Sequence, residues 1–290
     1  MSGKDRSGPR SEPGTTGHEW DGIQEYNNPL PRWWLWILIA TIVWAIGYTI
    51  VFPAWPGIRA ATPGLLGWSS RARVEKQVAA VEAARAEQNR QIGSVPLAQL
   101  PDNPQLMRLA VEGGRSAFKV HCVQCHGSGA AGGAGYPNLN DDDWLWGGDM
   151  ETIHATIVHG IRAPGYDDTR ISQMPAFGKE ELLDRAQVSD VVEHVLAISG
   201  AQHDAAKAAR GALIFAEQCA SCHGPDGKGD RTVGAPNLTD AIWLYGGDRQ
   251  AIFATVWNAR NGVMPGWSQR LDEVTLRKLA AYVHSLGGGE

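Results

Sequence analysis

Cysteine is scarce in this chain of 290 residues: there are four, and two short motifs use all of them. Excess basic charge is missing as well. The net charge is −5, which argues against a nucleic-acid binder. The 31 residues at the N-terminus are polar and rich in Gly, Pro and Ser, and they lack the apolar centre of a signal peptide. Beyond residue 104 no segment shows convincing period-two alternation, so that part is read as all-α. What is present is globular in composition, with 43% hydrophobic and 20% charged residues. The charge is uneven. Up to residue 104 there are ten Lys/Arg against nine Asp/Glu, and beyond it sixteen against twenty-two.

The two cysteine motifs are Cys122-Val123-Gln124-Cys125-His126 and Cys219-Ala220-Ser221-Cys222-His223. The pattern C-x-x-C-H reads as c-type haem attachment. Two thiols at this spacing can form thioethers to the two vinyl groups of one haem, and the following imidazole reaches the iron from the same face. Three other readings compete. A thioredoxin-like redox pair needs a βαβ context that is not visible. A Cys₄ zinc site uses shorter spacers than the 97 residues between these pairs. Two structural disulfides form a third. In none of these does the histidine after each pair have a purpose. The expectation is two covalently bound haem c groups with His126 and His223 as proximal iron ligands.

Residues 33–52 contain no charge. Twenty apolar residues match the thickness of a bilayer core, and Trp33, Trp34, Trp36, Tyr48 and Trp55 mark its two interfaces. The expected organisation is a cytoplasmic tail over 1–32, a single transmembrane helix over 33–53, and a linker over 54–104 with a helix over 70–91. Residues 1–16 are expected to be disordered. Flanking charges barely engage the positive-inside rule. Orientation instead follows from chemistry: haem c is attached on the outer side of the bacterial cytoplasmic membrane. The N-terminus is therefore expected in the cytoplasm and the motifs in the periplasm, at the cell inner membrane.

Residues 105–200 and 205–290 read as two copies of one domain. Gly114, Phe118 and Cys122 are spaced like Gly211, Phe215 and Cys219, placing each trio on one helix face. Pro137-Asn138-Leu139 recurs as Pro236-Asn237-Leu238. Trp144 to Asp149 recurs as Trp243 to Asp248, each aspartate being a plausible helix cap. Met174-Pro175 recurs as Met264-Pro265. Of five methionines only Met174 and Met264 recur in equivalent settings, so these two are the candidate sixth ligands. Pro137 and Pro236 are candidates to orient the ligating imidazoles through their carbonyls. His121 abuts Cys122, and its ring is expected to point away from the iron; His154, His159, His194, His203 and His284 do not recur in register. The extra residues between Gly160 and Met174 are expected to form a surface loop.

The stretch beyond residue 104 resembles two tandem class I cytochrome c domains, carried by Gly-x-x-x-Phe-x-x-x-C-x-x-C-H, the Pro-Asn-Leu turn and the later methionine. With His18-Glu19-Trp20-Asp21-Gly22-Ile23, Asn27-Asn28-Pro29-Leu30-Pro31 and Trp33-Trp34, the chain resembles the dihaem subunit III of cbb3-type cytochrome c oxidases. That resemblance implies one membrane helix followed by two cytochrome c domains. It also implies partnership with the catalytic and monohaem subunits, a donor c-type cytochrome, and electron transfer toward an oxygen-reducing, proton-pumping catalytic subunit. The chain itself would not be the catalyst. The alternatives are a free-standing membrane dihaem carrier and a dihaem peroxidase. Peroxide turnover by the soluble part, or purification without catalytic subunits, would favour one of these.

Overall fold

The computed structural model describes residues 14–288. The expected disorder over 1–16 falls largely outside the described residues. Its last part does not hold, since Thr15 and Thr16 lie in a strand. The strands β1 (Thr15–Trp20) and β2 (Ile23–Tyr26) form an antiparallel hairpin. Asp21 and Gly22 both have positive φ, 49° and 83°, as a two-residue hairpin turn of primed type requires. Helix α1 (Arg32–Val51) follows Pro31 and ends where Pro53 cannot continue it. At about 1.5 Å per residue its twenty residues extend about 30 Å. None of its side chains is buried, and it is long and apolar enough to cross a membrane. Helix α2 (Ser70–Ser94) includes the helix expected over 70–91 and runs through the division between two compact units, 1–83 and 84–290.

The second unit carries both motifs. After a 3₁₀ turn at Leu97–Asp102 come α3 (Pro104–His121), α4 (Val123–His126), α5 (Met150–His159) and α6 (Arg185–Ile198). Then come α7 (Ala205–Gln218), α8 (Ala220–His223), α9 (Arg249–Asn258) and α10 (Glu273–His284). Asp149 and Asp248 cap α5 and α9 as expected, accepting from Thr152 N at 2.8 Å and from Gln250 N at 2.9 Å. Asp184, Asp204 and Asp272 cap α6, α7 and α10 in the same way. A carboxylate there satisfies free N–H groups and faces the positive end of the helix dipole.

The two copies do not fold side by side as closed domains. Each lends its final helix to the other. The core of the first globule joins Leu106, Ala110 and Phe118 of α3 and Ile153 of α5 to Leu276, Leu279, Ala280 and Val283 of α10. The core of the second joins Phe215 of α7 and Ile252 of α9 to Val188, Val191, Val192 and Val195 of α6. The repeated glycines show where the helices cross. A Cβ on Gly114 would lie 1.9 Å from the Lys278 carbonyl oxygen, and one on Gly211 1.9 Å from that of Asp190. Only glycine allows such an approach. Gly114→Val and Gly211→Val should each destabilise their own globule by about 3 kcal/mol, the upper end for overpacking, read by chemical denaturation. A variant that melts like the parent would contradict this packing.

Polar contacts reinforce the exchange. Asp190 of α6 makes a two-pronged pair with Arg210 of α7, both distances 2.7 Å. Glu193 of α6, 3% exposed, accepts from Arg249 of α9 at 2.6 Å and from Asp204 N at 2.8 Å. The Arg249 hydrogen bond holds the Glu193 carboxyl below its usual pKa. On the other side, Arg277 and Lys278 of α10 reach Ile92 O at 2.9 Å and Asn89 Oδ1 at 2.6 Å on the last turns of α2. The end of the expected linker also joins a core, because Leu97 and Leu100 are buried in the first globule.

Candidate haem-binding site

Each motif sits on a one-turn helix directly after a long one. α3 ends at Cys122 and α4 follows; α7 ends at Cys219 and α8 follows. The chain then turns back beneath the histidine. Gly132 N donates to His126 O at 2.9 Å, and Gly229 N to His223 O at 2.8 Å. Leu139 N reaches Ala130 O at 2.8 Å, and Leu238 N reaches Gly227 O at 2.7 Å. These bonds bring the Pro-Asn-Leu turn to the imidazole. His126 Nδ1 lies 3.2 Å from Pro137 O, and His223 Nδ1 lies 3.0 Å from Pro236 O. A carbonyl only accepts, so Nδ1 carries the proton and Nε2 keeps its lone pair for a metal. Burial lowers both imidazole pKa values, which favours the neutral, ligating form.

The four thiols are not paired in disulfides. Burial, then the neighbouring cysteine, pushes Cys122 and Cys219 up to about 11. A redox dithiol works through a depressed pKa, so this environment speaks against the thioredoxin-like reading. Among the described residues no cluster of His, Cys, Asp and Glu is suited to hold a metal ion by itself.

Both motifs open onto one largely apolar cleft of about 760 Å³. Cys122, Cys125, His126, Cys219, Cys222, His223, Met174 and Met264 all line it. The structure therefore brings every candidate site residue together, but in crossed pairs. Met264 packs against the core that holds Phe118, Cys122 and Val123. Met174 packs against the core that holds Phe215, Cys219 and Ala220. Backbone bonds show how this arises. Ile161 and Met264 exchange N–H···O bonds of 2.9 and 3.0 Å, and Lys179 N donates to Trp257 O at 3.0 Å. Each Met-Pro segment runs along the α5-type helix of the other copy.

Trp144 and Trp243 are partly buried in the first and second cores. The second glycine of each Gly-Gly-Asp lies against that indole: a Cβ on Gly148 or Gly247 would come 2.5 Å from a ring atom. His121 lines the cleft with its ring 5.4 Å from that of Trp267. His154 faces Glu273 at 3.1 Å and His194 packs on Phe215, so neither is offered to the cleft.

The expected surface loop between Gly160 and Met174 is instead part of the contact between copies. Tyr166 Oη donates to Gly266 O at 2.6 Å, and Ala163 is buried. Arg170 lies over the Trp146 ring, and Arg260 lies over Tyr245, the matching ring of the second copy. Sequence reasoning missed these arginines although they were readable: each stands four residues before its Met-Pro methionine, and each reaches the matching threonine, Thr156 or Thr255.

The arrangement suits haem c. Each site offers two free thiols and an imidazole with its second nitrogen oriented by a carbonyl, and a methionine lines the same apolar cleft beside each. Comparison with known families agrees. Residues 12–59 match the N-terminal domain of cytochrome oxidase-cbb3, FixP, and residues 109–195 and 206–283 match cytochrome c oxidase, cbb3-type, subunit III. The chain is 57% identical over 290 residues to the cbb3-type cytochrome c oxidase subunit CcoP of Cereibacter sphaeroides, covering 100% of both.

The chain belongs to the cbb3-type cytochrome c oxidase subunit III family.

Another member, the subunit FixP of Rhizobium meliloti, is 52% identical over 276 residues, 95% of each chain. The subunit CcoP of Rhodobacter capsulatus is 49% identical, covering 97% of this chain and 98% of its own. Membership makes this chain a subunit of an oxidase complex with other subunits beside it, and its cytochrome c domains imply bound haem c. The exposed apolar helix α1 fits a membrane anchor for such a subunit.

Proposed function

We propose that this chain is the dihaem electron-entry subunit of a cbb3-type oxidase, accepting electrons from a donor c-type cytochrome and passing them toward the oxygen-reducing subunit. The observation that carries this is the single cleft lined by both C-x-x-C-H motifs and both Met-Pro segments. One haem c would be held by Cys122, Cys125, His126 and Met264. The other would be held by Cys219, Cys222, His223 and Met174. When bound, such haem groups supply one-electron chemistry, and His/Met ligation raises their potential. The chain's own residues orient the imidazoles, would supply the thiols for attachment and would offer a methionine to each iron, which argues against the peroxidase reading.

The remaining assignments follow from the same reading. Helix α1 crosses the bacterial inner membrane once, with the N-terminus cytoplasmic and the motifs periplasmic, where haem c is attached. The acidic surface beyond residue 104 steers a donor with a basic face. Oxygen uptake with such a donor should slow as ionic strength rises, because the screening length is about 10 Å at 0.1 M. A rate independent of salt would remove electrostatic steering from the account.

Mass spectrometry of the denatured chain should show two covalently added haems. One haem, or none after acid-acetone extraction, would sink the dihaem assignment. The function itself is tested by removing residues 105–290 while keeping α1 in the assembled complex. Oxygen uptake from cytochrome c should stop, while the catalytic subunit still binds oxygen once chemically reduced. A truncated complex that oxidises cytochrome c at full rate would assign the chain to assembly instead.

A further inference from the structure

One side chain touches both Met-Pro segments. Arg162 follows α5 in the first copy and lines the cleft. Its Nε donates to Gly262 O at 2.6 Å, and its Nη1 donates to Ser172 O at 2.8 Å. Gly262 stands two residues before Met264, and Ser172 two residues before Met174. The two acceptors are therefore matching positions of the two segments, spanned by one planar guanidinium. Arg162 itself is held firmly. Its N–H donates to Arg170 O at 2.7 Å, and its neighbour Ile161 is paired with Met264. Its φ is 52°, a left-handed conformation that costs a residue with a Cβ free energy and persists where surrounding bonds over-determine it. In the second copy Asn261 stands three residues before Met264, where the first copy has Ile171. It grips only one segment: Met174 N donates to Asn261 Oδ1 at 3.3 Å, and Asn261 Nδ2 donates to Met174 O at 3.2 Å.

We infer that Arg162 is a positioning residue that sets both axial methionines at once and so couples the two haem sites. The inference rests on the ligand assignment made above for Met174 and Met264. A rigid fork with several fixed donors can hold two carbonyls in register, whereas a lysine at the same place offers one flexible point charge. Loosening the fork releases both segments together. Loosening Asn261 releases only the Met174 segment.

The test uses the full-length subunit carrying haem, with the weak near-infrared absorption of Met-ligated ferric haem and the two midpoint potentials as readouts. In R162Q both haems should lose part of that absorption and both potentials should fall. Imidazole added from outside should displace the sixth ligand at both haems at about tenfold lower concentration, as expected when a charge-assisted hydrogen bond is lost. N261A should change one haem only, the one at Cys219 and Cys222. Should R162Q fail to retain haem, R162K carries the test, and both haems should change in the same direction. A purely structural role for Arg162 would lower the melting temperature and leave spectrum, potentials and imidazole competition alone. Normal readouts in R162Q, or a change at one haem only, overturn the inference. A parent chain lacking the absorption altogether overturns the methionine assignment first, and the clamp with it.

Discussion

Met264→Ala is expected to lower the potential of the haem attached at Cys122 and Cys125 and to leave the haem at Cys219 and Cys222 unchanged. The expected fall is on the order of 0.1 V, a modest part of the range of about 0.8 V that axial ligands span. Met174→Ala should do the reverse. The reason is where each segment lies. Met264 is anchored by Ile161 at the end of α5 and packs with Phe118 and Cys122, while Met174 is anchored by Asn261 and packs with Phe215 and Cys219. Assigning a spectral change to a particular haem needs a chain with only one. In a background of Cys219→Ala and Cys222→Ala only the first motif keeps a haem. There the near-infrared absorption should vanish with Met264→Ala and survive Met174→Ala. If Met174→Ala removes it instead, each copy ligates its own haem and the crossed pairing is wrong.

The proposed pairing was not legible in the sequence, although every residue in it was. The motifs, both methionines and the two orienting prolines stand out because chemistry needs particular residue types at particular spacings, and because each occurs twice. Likewise the spacing of Gly114 with Phe118, and of Gly211 with Phe215, marks a helix that meets another closely. It does not name the partner. Helices α6 and α10 are both apolar, and the periodicity that buries Val188 and Val191 looks like the one that buries Leu276 and Leu279. Which closing helix crosses which opening helix is settled by contacts such as Asp190 with Arg210, and the partner of α10 is fixed further by Lys278 with Asn89 on α2. Those are pairs between residues with no motif of their own. Arg162 was hidden for the same reason: a lone arginine in a loop carries no pattern, and its role appears only when Ser172 and Gly262 are seen on either side of it. The hairpin at the N-terminus was missed because its alternation is short and mostly polar. Asp21-Gly22 was its readable signal, a turn pair between Trp20 and Ile23.

Ending the chain at Asn258 should abolish the first globule and spare the core of the second. In ordinary tandem domains the opposite would hold, since every residue removed belongs to the second copy. Here the removed stretch holds Met264 and the whole of α10. Leu276, Leu279 and Val283 of α10 are buried in the first core at 1%, 1% and 6% exposure. Burying an aliphatic side chain of this size stabilises by about 1.5–3 kcal/mol, so these three contribute about 5–9 kcal/mol as an upper figure. A domain's whole stability is about 5–15 kcal/mol. Loss of α10 also exposes Leu106, Ala110 and Phe118 on α3, so the first globule should not survive. The second core keeps α6, α7 and α9, with Glu193 still bonded to Arg249. Hydrogen exchange should therefore show α3 unprotected and α7 protected in the truncated chain. The methionine signature of the site at Cys122 and Cys125 should be lost with Met264, and that of the site at Cys219 and Cys222, deprived of Asn261, should survive only weakened. A separate peptide spanning residues 259–288, added to the truncated chain, should restore protection of α3. If instead α3 stays protected and α7 is lost, the helices close within their own copies and the exchange described here does not exist.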